Sequence, residues 1–314
     1  MSTDFGGIDG YTWQEGFRAG FACLIGRPNA GKSTLTNALV GQKVAITSGR
    51  PQTTRHTIRG IVHRPDGQLV LVDTPGLHRP RTLLGQRLND LVRETLGEVD
   101  VIIFCLPSDE RIGPGDRFIA RQIADARTPV VAVATKSDKV SHERLTEHLL
   151  EIDALGEWAD IVPVSATRDK QVDVLTDVVL GLMPTSPPLY PDGELTDEPE
   201  NVMVAELVRE AALEGVRDEL PHSLAVVVEE ITERERAADD ARPAMLDVRV
   251  NLFVERDSQK AIVIGKGGAR LRAVGTEARK GIEALLGTRI YLDLRVKVAK
   301  DWQRDPKLLR RLGF

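Results

Sequence analysis

Cysteine is nearly absent from this 314-residue chain: Cys23 and Cys105 are the whole complement, which excludes a disulfide-stapled scaffold. Neither has a cationic neighbour or a C-x-x-C partner, so both read as small buried hydrophobes. Aromatic residues amount to 4%, so any core is built mainly from Val, Leu, Ile and Ala. No apolar run approaches the ~18–20 residues of a membrane-spanning helix. The first twenty residues carry acids and glycines, not the charged-then-apolar pattern of a secretory leader. The six histidines show no zinc-ligand spacing, and there are no repeats or low-complexity tracts. What is there, 41% apolar and 28% charged residues, is the composition of a globular protein with material for two cores. The expected location is a reducing cytoplasm.

The net charge of −5 conceals a division. Residues 1–241 sum to −14, whereas residues 242–314 hold 17 basic and 8 acidic residues and sum to +9. A basic final quarter on an acidic chain points to a polyanionic partner or to a solvated helix face, and the motifs inside it must decide.

Short β-branched runs at Phe21–Ile25, Leu69–Val72, Val101–Leu106, Val130–Ala134 and Ile161–Val164 read as buried parallel strands. Helix-like stretches lie between them, at Lys32–Val40, Gly115–Ala126, Glu143–Leu155 and Val172–Met183. This alternation predicts an α/β domain with a mostly parallel sheet. Residues 184–200 contain five prolines and read as a linker. Beyond it the order is helix, strand, strand, helix, Gly-rich turn, helix, strand: a smaller α+β domain. The division is therefore a tail at 1–15, a first domain at 16–183, the linker at 184–200, a second domain at 201–300 and a tail at 301–314.

Gly26-Arg-Pro-Asn-Ala-Gly31-Lys32-Ser33 fits G-x-x-x-x-G-K-[ST] between a strand and a helix. Its glycines let backbone N–H groups wrap a phosphate at the positive end of a helix. Lys32 would reach the outer phosphates and Ser33 would ligate Mg²⁺, with Asn29, Ala30 and Thr34 completing the cradle. Asp73-Thr-Pro-Gly76 follows a strand end. The Asp73 carboxylate would hold the metal through water, and the Gly76 amide would sense a third phosphate. The polar segment Thr47–His56 holds a candidate metal-binding threonine, Thr54, with Thr53 second, and would order around a third phosphate.

Thr135-Lys136-Ser137-Asp138 follows the strand at Val130–Ala134. A carboxylate there can accept both hydrogens of guanine's ring N–H and exocyclic amine while the Lys136 stem lies along the purine face. Adenine would leave that carboxylate facing an acceptor. Ser165 and Ala166, in Ser165-Ala-Thr167, would bring a backbone amide to the guanine carbonyl.

In the basic quarter, Ile262-Val-Ile-Gly265-Lys266-Gly267-Gly268-Ala-Arg270 sets a G-x-x-G turn between two helices. A turn free of side chains lets backbone approach sugar–phosphate, and Lys260, Lys266, Arg270 and Arg272 surround it. Such loops clamp about four nucleotides of single-stranded RNA in KH modules. Trp302, in the tail, would stack on a base or pack on the core.

In this order, Gly26–Ser33, Asp73–Gly76, Thr135–Asp138 and Ser165–Thr167 resemble the motifs of translation-factor-like GTPases. With Pro51–His56, Ile262–Gly268 and Lys300–Leu309, the chain from about Gly16 to Phe314 resembles the Era family of bacterial GTPases, which carry a C-terminal type II KH domain. The fold implied is an α/β P-loop GTPase domain with a mixed, mostly parallel sheet, followed by a smaller α+β KH domain. The resemblance implies binding of GTP, GDP and the 3′ end of small-subunit (16S) ribosomal RNA, and a role in maturing the 30S subunit. It implies no permanent oligomer, and in some members peripheral association with the inner membrane. Two departures stand out. The family usually has Asn where this chain has Thr135. Leu77 stands where Ras-like relatives place a water-orienting Gln. Some relatives with an apolar residue there use potassium, held partly by an Asn matching Asn29, which would place charge where it develops in the transition state. The rival reading is an RNA-binding scaffold that holds GTP with negligible turnover.

Overall fold

The computed structural model describes residues 14–47, 57–77, 82–124, 126–214, 223–234 and 245–312. The five apolar runs become parallel strands of one six-stranded sheet in the order β2-β3-β1-β4-β5-β6. β1 (Arg18–Gly26) lies between β3 (Gly67–Asp73) and β4 (Val101–Pro107), followed outward by β5 (Val130–Thr135) and β6 (Asp160–Pro163). The sixth strand, β2 (Ile58–Arg64), runs antiparallel to β3. It is absent from the apolar runs because its sequence, IRGIVHR, is interrupted by polar residues. The helices are α1 (Lys32–Val40), α2 (Leu83–Leu96), α3 (Pro114–Ile123), α4 (His142–Asp153) and α5 (Val172–Leu182).

Because side chains alternate across a strand, β1 feeds two cores. Ala22 and Leu24 join Leu35 and Leu39 of α1 and Leu175 and Val179 of α5. Cys23 and Ile25 join Val92 of α2, Ile119 and Ile123 of α3 and Ile152 of α4. Cys105 belongs to the first core and Cys23 to the second. Burial pushes both thiols up to about 12, so both stay protonated and inert.

Residues 184–197, expected as linker, lie against this sheet. Ser186 N donates to Phe17 O at 3.0 Å, and Ile61 N of β2 donates to Leu195 O at 2.9 Å. Gln68, buried in β3, holds the middle: its Oε1 accepts from Leu189 N at 2.7 Å and Tyr190 N at 2.9 Å, and its Nε2 donates to Tyr190 O at 2.8 Å. Arg59 pairs with Asp197 at 2.9 Å and anchors the far end. Proline suits such a strap, since a chain that bonds to one side leaves many of its N–H positions unused.

The C-terminal part builds a second core on the three-stranded sheet β7-β8-β9. α6 (Glu200–Leu213) precedes β7 (Ala225–Glu233) and β8 (Met245–Val254), which pair antiparallel. α7 (Asp257–Ile264) and α8 (Ala269–Leu286) lead to β9 (Arg289–Val298), parallel to β8. Val204 and Val208 of α6 pack with Val250 and Leu252 of β8 and Val274 and Ile282 of α8. The tail is folded. Trp302 is fully buried and donates its indole N–H to Ser223 O at 3.0 Å, so it packs in the core and is closed to base stacking. Asp305 caps the last helix, α9 (Pro306–Arg311), accepting from Lys307 N at 2.7 Å.

The described residues fall in two compact units. One is drawn from Met1–Ala45, Thr54–Arg79 and Leu88–Asp197, the other from Ile46–Thr53, Pro80–Arg87 and Glu198–Phe314. Among the described residues no helix is long and apolar enough to cross a membrane.

Gln68→Leu is expected to cost about 2 kcal/mol, because it strips partners from three backbone groups of the strap. The check is a lower melting temperature together with faster hydrogen exchange at the Leu189 and Tyr190 amides; unchanged exchange there would mean that the strap is held by its ends alone.

Candidate functional site

The loop between β1 and α1 turns because three of its residues take conformations with positive φ. Gly26 has φ 154°, Asn29 63° and Gly31 91°. Gly26 also cannot carry a side chain: a Cβ there would stand 2.7 Å from the Cys105 carbonyl. Lys32, the first residue of α1, is buried and folds back over the loop, with Nζ 3.2 Å from Arg27 O and 3.4 Å from Gly26 O. Burial lowers its pKa, against which the Asp73 charge acts. An ammonium held over a loop of carbonyls in a dry site binds anionic oxygen strongly.

Asp73 ends β3 fully buried, and Ser33 Oγ donates to its Oδ2 at 2.6 Å. A hydroxyl and a carboxylate in contact beside a phosphate loop form a hard-oxygen donor pair that fits Mg²⁺, which takes few protein ligands and keeps several waters. Thr74 Oγ1 donates to Leu24 O at 2.6 Å and pins the segment after Asp73 to β1. Gly76 then meets the phosphate loop so closely that a Cβ would stand 2.7 Å from Pro28 N. Leu77 is buried and its N–H donates to Gly26 O at 3.2 Å. Thr54 and Thr53 lie outside the described residues.

The base-side residues converge on the same strand ends. Thr135 Oγ1 donates to Ala30 O at 2.6 Å, so the hydroxyl does tie the two loops despite its short reach. Lys136 is held in the left-handed region, at φ 56°. Ser165 Oγ donates to Asp138 Oδ1 at 2.6 Å. That bond holds the Asp138 carboxyl below its ordinary range, so it stays ionised as pH falls toward the usual carboxylate region. Gly31, Thr34, Thr135, Lys136, Asp138 and Ala166 line a cavity of about 130 Å³. Ser165 thus acts on Asp138 through its side chain, while Ala166 and Thr167 face the cavity.

The second unit presents the G-x-x-G turn as expected between α7 and α8, with Gly265, Gly267 and Gly268 at φ 73°, 58° and 75°. Lys266 is exposed at its tip and Lys260 is half-buried on α7. Arg272 folds over the turn, donating to Gly267 O at 2.8 Å. Arg270, expected among the RNA contacts, is engaged elsewhere: its Nη2 donates to Ala212 O at 3.1 Å and Glu214 O at 2.9 Å, satisfying carbonyls at the end of α6. Between α8 and β9 runs a groove of about 470 Å³ lined by Gly268, Arg272, Thr276, Arg279, Tyr291 and Leu294, among others. Tyr291 is 55% exposed, under the Arg234 guanidinium at 4.9 Å. Sequence reasoning missed Arg279; the Tyr291 ring stands on the outward phase of β9, opposite the buried Ile290 and Val296.

Comparison with known proteins bears on both units. The family profile described as "50S ribosome-binding GTPase" matches residues 21–136, and the profile "KH domain" matches residues 219–303. GTPase Era of Streptomyces coelicolor is 68% identical over 304 residues, covering 95% of each chain. GTPase Era of Mycolicibacterium smegmatis is 67% identical over 301 residues, covering 95% of this chain and 99% of its own. The chain belongs to the Era family of GTPases. Two Era crystal structures superpose over 95% of it and 99% of their own chains. One is a complex with MgGDPNP and nucleotides 1506–1542 of 16S ribosomal RNA, with a TM-score of 0.90 at 37% identity. The other is an Aquifex aeolicus variant bound to GDP·AlF₄⁻, with a TM-score of 0.89 at 36%. As an Era-family chain it is a P-loop GTPase with a KH domain, and both carry the motifs described above.

Asp138→Asn is expected to lower affinity for GTP and to raise it for xanthosine triphosphate, moving the preference by about a hundredfold or more, since the amide offers a donor to a carbonyl where guanine presents an amine. Competitive calorimetry with the two nucleotides checks it; an unchanged preference would remove Asp138 from base recognition.

Proposed function

We propose that the chain binds GTP with Mg²⁺, hydrolyses it slowly by in-line attack of water, and binds single-stranded RNA from the 3′ end of small-subunit ribosomal RNA during maturation of the 30S subunit. The observation that carries this reading is the near-full-length likeness to an Era that holds both a GTP analogue and that RNA segment. The large subunit named by the GTPase profile weighs less, because that match covers only residues 21–136.

In the nucleotide unit, loop amides and Lys32 hold phosphate charge. Ser33 and Asp73, already in contact at 2.6 Å, would hold the metal, with Thr54 as the third candidate. When bound, Mg²⁺ neutralises charge on the bridging phosphate oxygens. Gly76 lies against the phosphate loop, and its amide would register a third phosphate. Leu77 is buried, so its side chain cannot orient the attacking water. Asn29, exposed on the loop, would share a potassium ion, which would supply positive charge in the transition state. Thr135 and Lys136 set the base loop, and Asp138, Ser165 and Ala166 hold the guanine edge.

In the KH unit, the backbone of Gly265–Gly268 would approach sugar–phosphate with Lys260, Lys266 and Arg272 around it. The groove beyond adds Arg279 as a cation. Arg270 supports the α6 end and is left out of this set. The reading carries with it a cytoplasmic location, with peripheral contact to the inner face of the membrane.

Buried Leu77 favours one second reading, a GTP-holding RNA scaffold. Single-turnover hydrolysis in potassium against sodium, with and without RNA, separates the two. The enzyme reading expects turnover that potassium accelerates at least severalfold; absence of turnover in every condition leaves the scaffold.

Replacing Lys266 and Gly267 with Asp is expected to weaken binding of the 3′-end RNA at least tenfold while hydrolysis without RNA is unchanged. A filter-binding titration showing unmoved affinity would remove the turn from the RNA site.

A further inference from the structure

Next to the nucleotide loops lies an acidic pair, Asp109-Glu110, to which the chemistry above assigns no task. It follows β4 and faces two loops at once. Glu110 Oε2 is 3.1 Å from Nη1 of Arg27 in the phosphate loop, and its Oε1 is 3.9 Å from Nζ of Lys136 in the base loop. Asp109 takes Lys136 Nζ at 3.2 Å and Lys139 Nζ at 3.6 Å.

Both cations are otherwise constrained. Arg27 Nε is 2.7 Å from Asp116 Oδ1, and the other oxygen of Asp116, a buried carboxylate, caps α3 by accepting from Gly113 N at 2.8 Å. The Arg27 stem lies so close to α3 that a Cβ on Gly115 would stand 2.7 Å from its Cδ. Lys136 occupies the left-handed region, where a residue with a Cβ persists only if its surroundings hold it. Its ammonium, between Asp109 and Glu110, supplies such a hold at the side-chain end. A carboxylate with one oxygen toward each loop fixes their separation from outside, as Thr135–Ala30 fixes it from inside.

We propose that Asp109 and Glu110 are positioning residues for guanine-nucleotide binding, an outer brace between phosphate loop and base loop; the role presupposes the nucleotide reading given under "Proposed function". The chemistry of position 135 says why this chain needs it. An asparagine there has two donors, whereas the threonine hydroxyl has a single donor, already given to Ala30. Isolated exposed ion pairs contribute little. A carboxylate shared between two loop cations, one of them also paired to a buried aspartate, restrains more than a free pair would. The effect falls on nucleotide release, because what the brace sets is the gap that a bound nucleotide spans.

The test is the release rate of a fluorescent GDP analogue from the full chain, compared with Glu110→Gln, Asp109→Asn and the double variant, each with and without Thr135→Asn. Release is expected to quicken about three- to tenfold in the double variant with no change in the melting temperature of nucleotide-free protein. The gap to wild type should close in 1 M NaCl, where the screening length falls to about 3 Å. Adding Thr135→Asn should slow release toward the wild-type rate. Equal release rates in wild type and variants would overturn the brace alone, as would faster release accompanied by a matching loss of nucleotide-free stability. A wild-type chain that binds no guanine nucleotide would overturn the nucleotide reading and the brace with it.

Discussion

The first unit's chemistry rests on two loops that a buried hydroxyl ties together from inside. Thr135 Oγ1 reaches the Ala30 carbonyl at 2.6 Å, and no backbone ladder connects those loops, because β1 and β5 are separated by β4. The phosphates and the base of one nucleotide must be met together, so the gap between the loops sets what can be bound. A parallel sheet offers such a place where its strand order divides, and here the division falls between β1 and β4. Glycine does the rest: at Gly26 and Gly76 the backbones of neighbouring segments stand where a methyl group would have to be.

The same close packing gives the region after Asp73 its bearing on chemistry. Ser33 touches Asp73, Thr74 is pinned to β1, and the Leu77 amide is bonded to Gly26. A change in phosphate occupancy therefore acts on a segment already in contact with the loop that senses it. The buried apolar side chain of Leu77 moves the task of handling water away from that position and onto backbone, ions or a partner.

Much of this was legible from residues alone, for identifiable reasons. Five strands could be read because burial on both faces makes their sequences continuously apolar. β2 escaped because Arg59, Gly60, His63 and Arg64 interrupt its apolar residues, and α2 because polar residues occupy its solvated side. The phosphate loop was visible because two of its three positive-φ positions are glycines and Lys32-Ser33 follows the second. Arg270 looked like an RNA contact because a cation beside a G-x-x-G turn says nothing about where its long side chain goes, and here it goes to α6. Arg279 was missed because a groove between α8 and β9 exists only once the two are packed. The prolines after Met183 suggested a free connector; they serve equally in a chain bonded along one side, and the bonds from Gln68, Phe17 and Ile61 tell the two apart.

That strap has a consequence for how the molecule behaves in a crowded solution. β2 is the outermost strand on its side of the sheet, and an outermost strand with open amides and carbonyls invites pairing with a neighbouring molecule. The strap occupies it: Leu195 accepts from Ile61, Thr196 bonds the Arg59 carbonyl, and Glu194 O meets the ring of His63. The opposite border, β6, is four residues long and gives an intruding strand little to grip. Residues with no part in holding nucleotide thus close one border of the six-stranded sheet against a further strand.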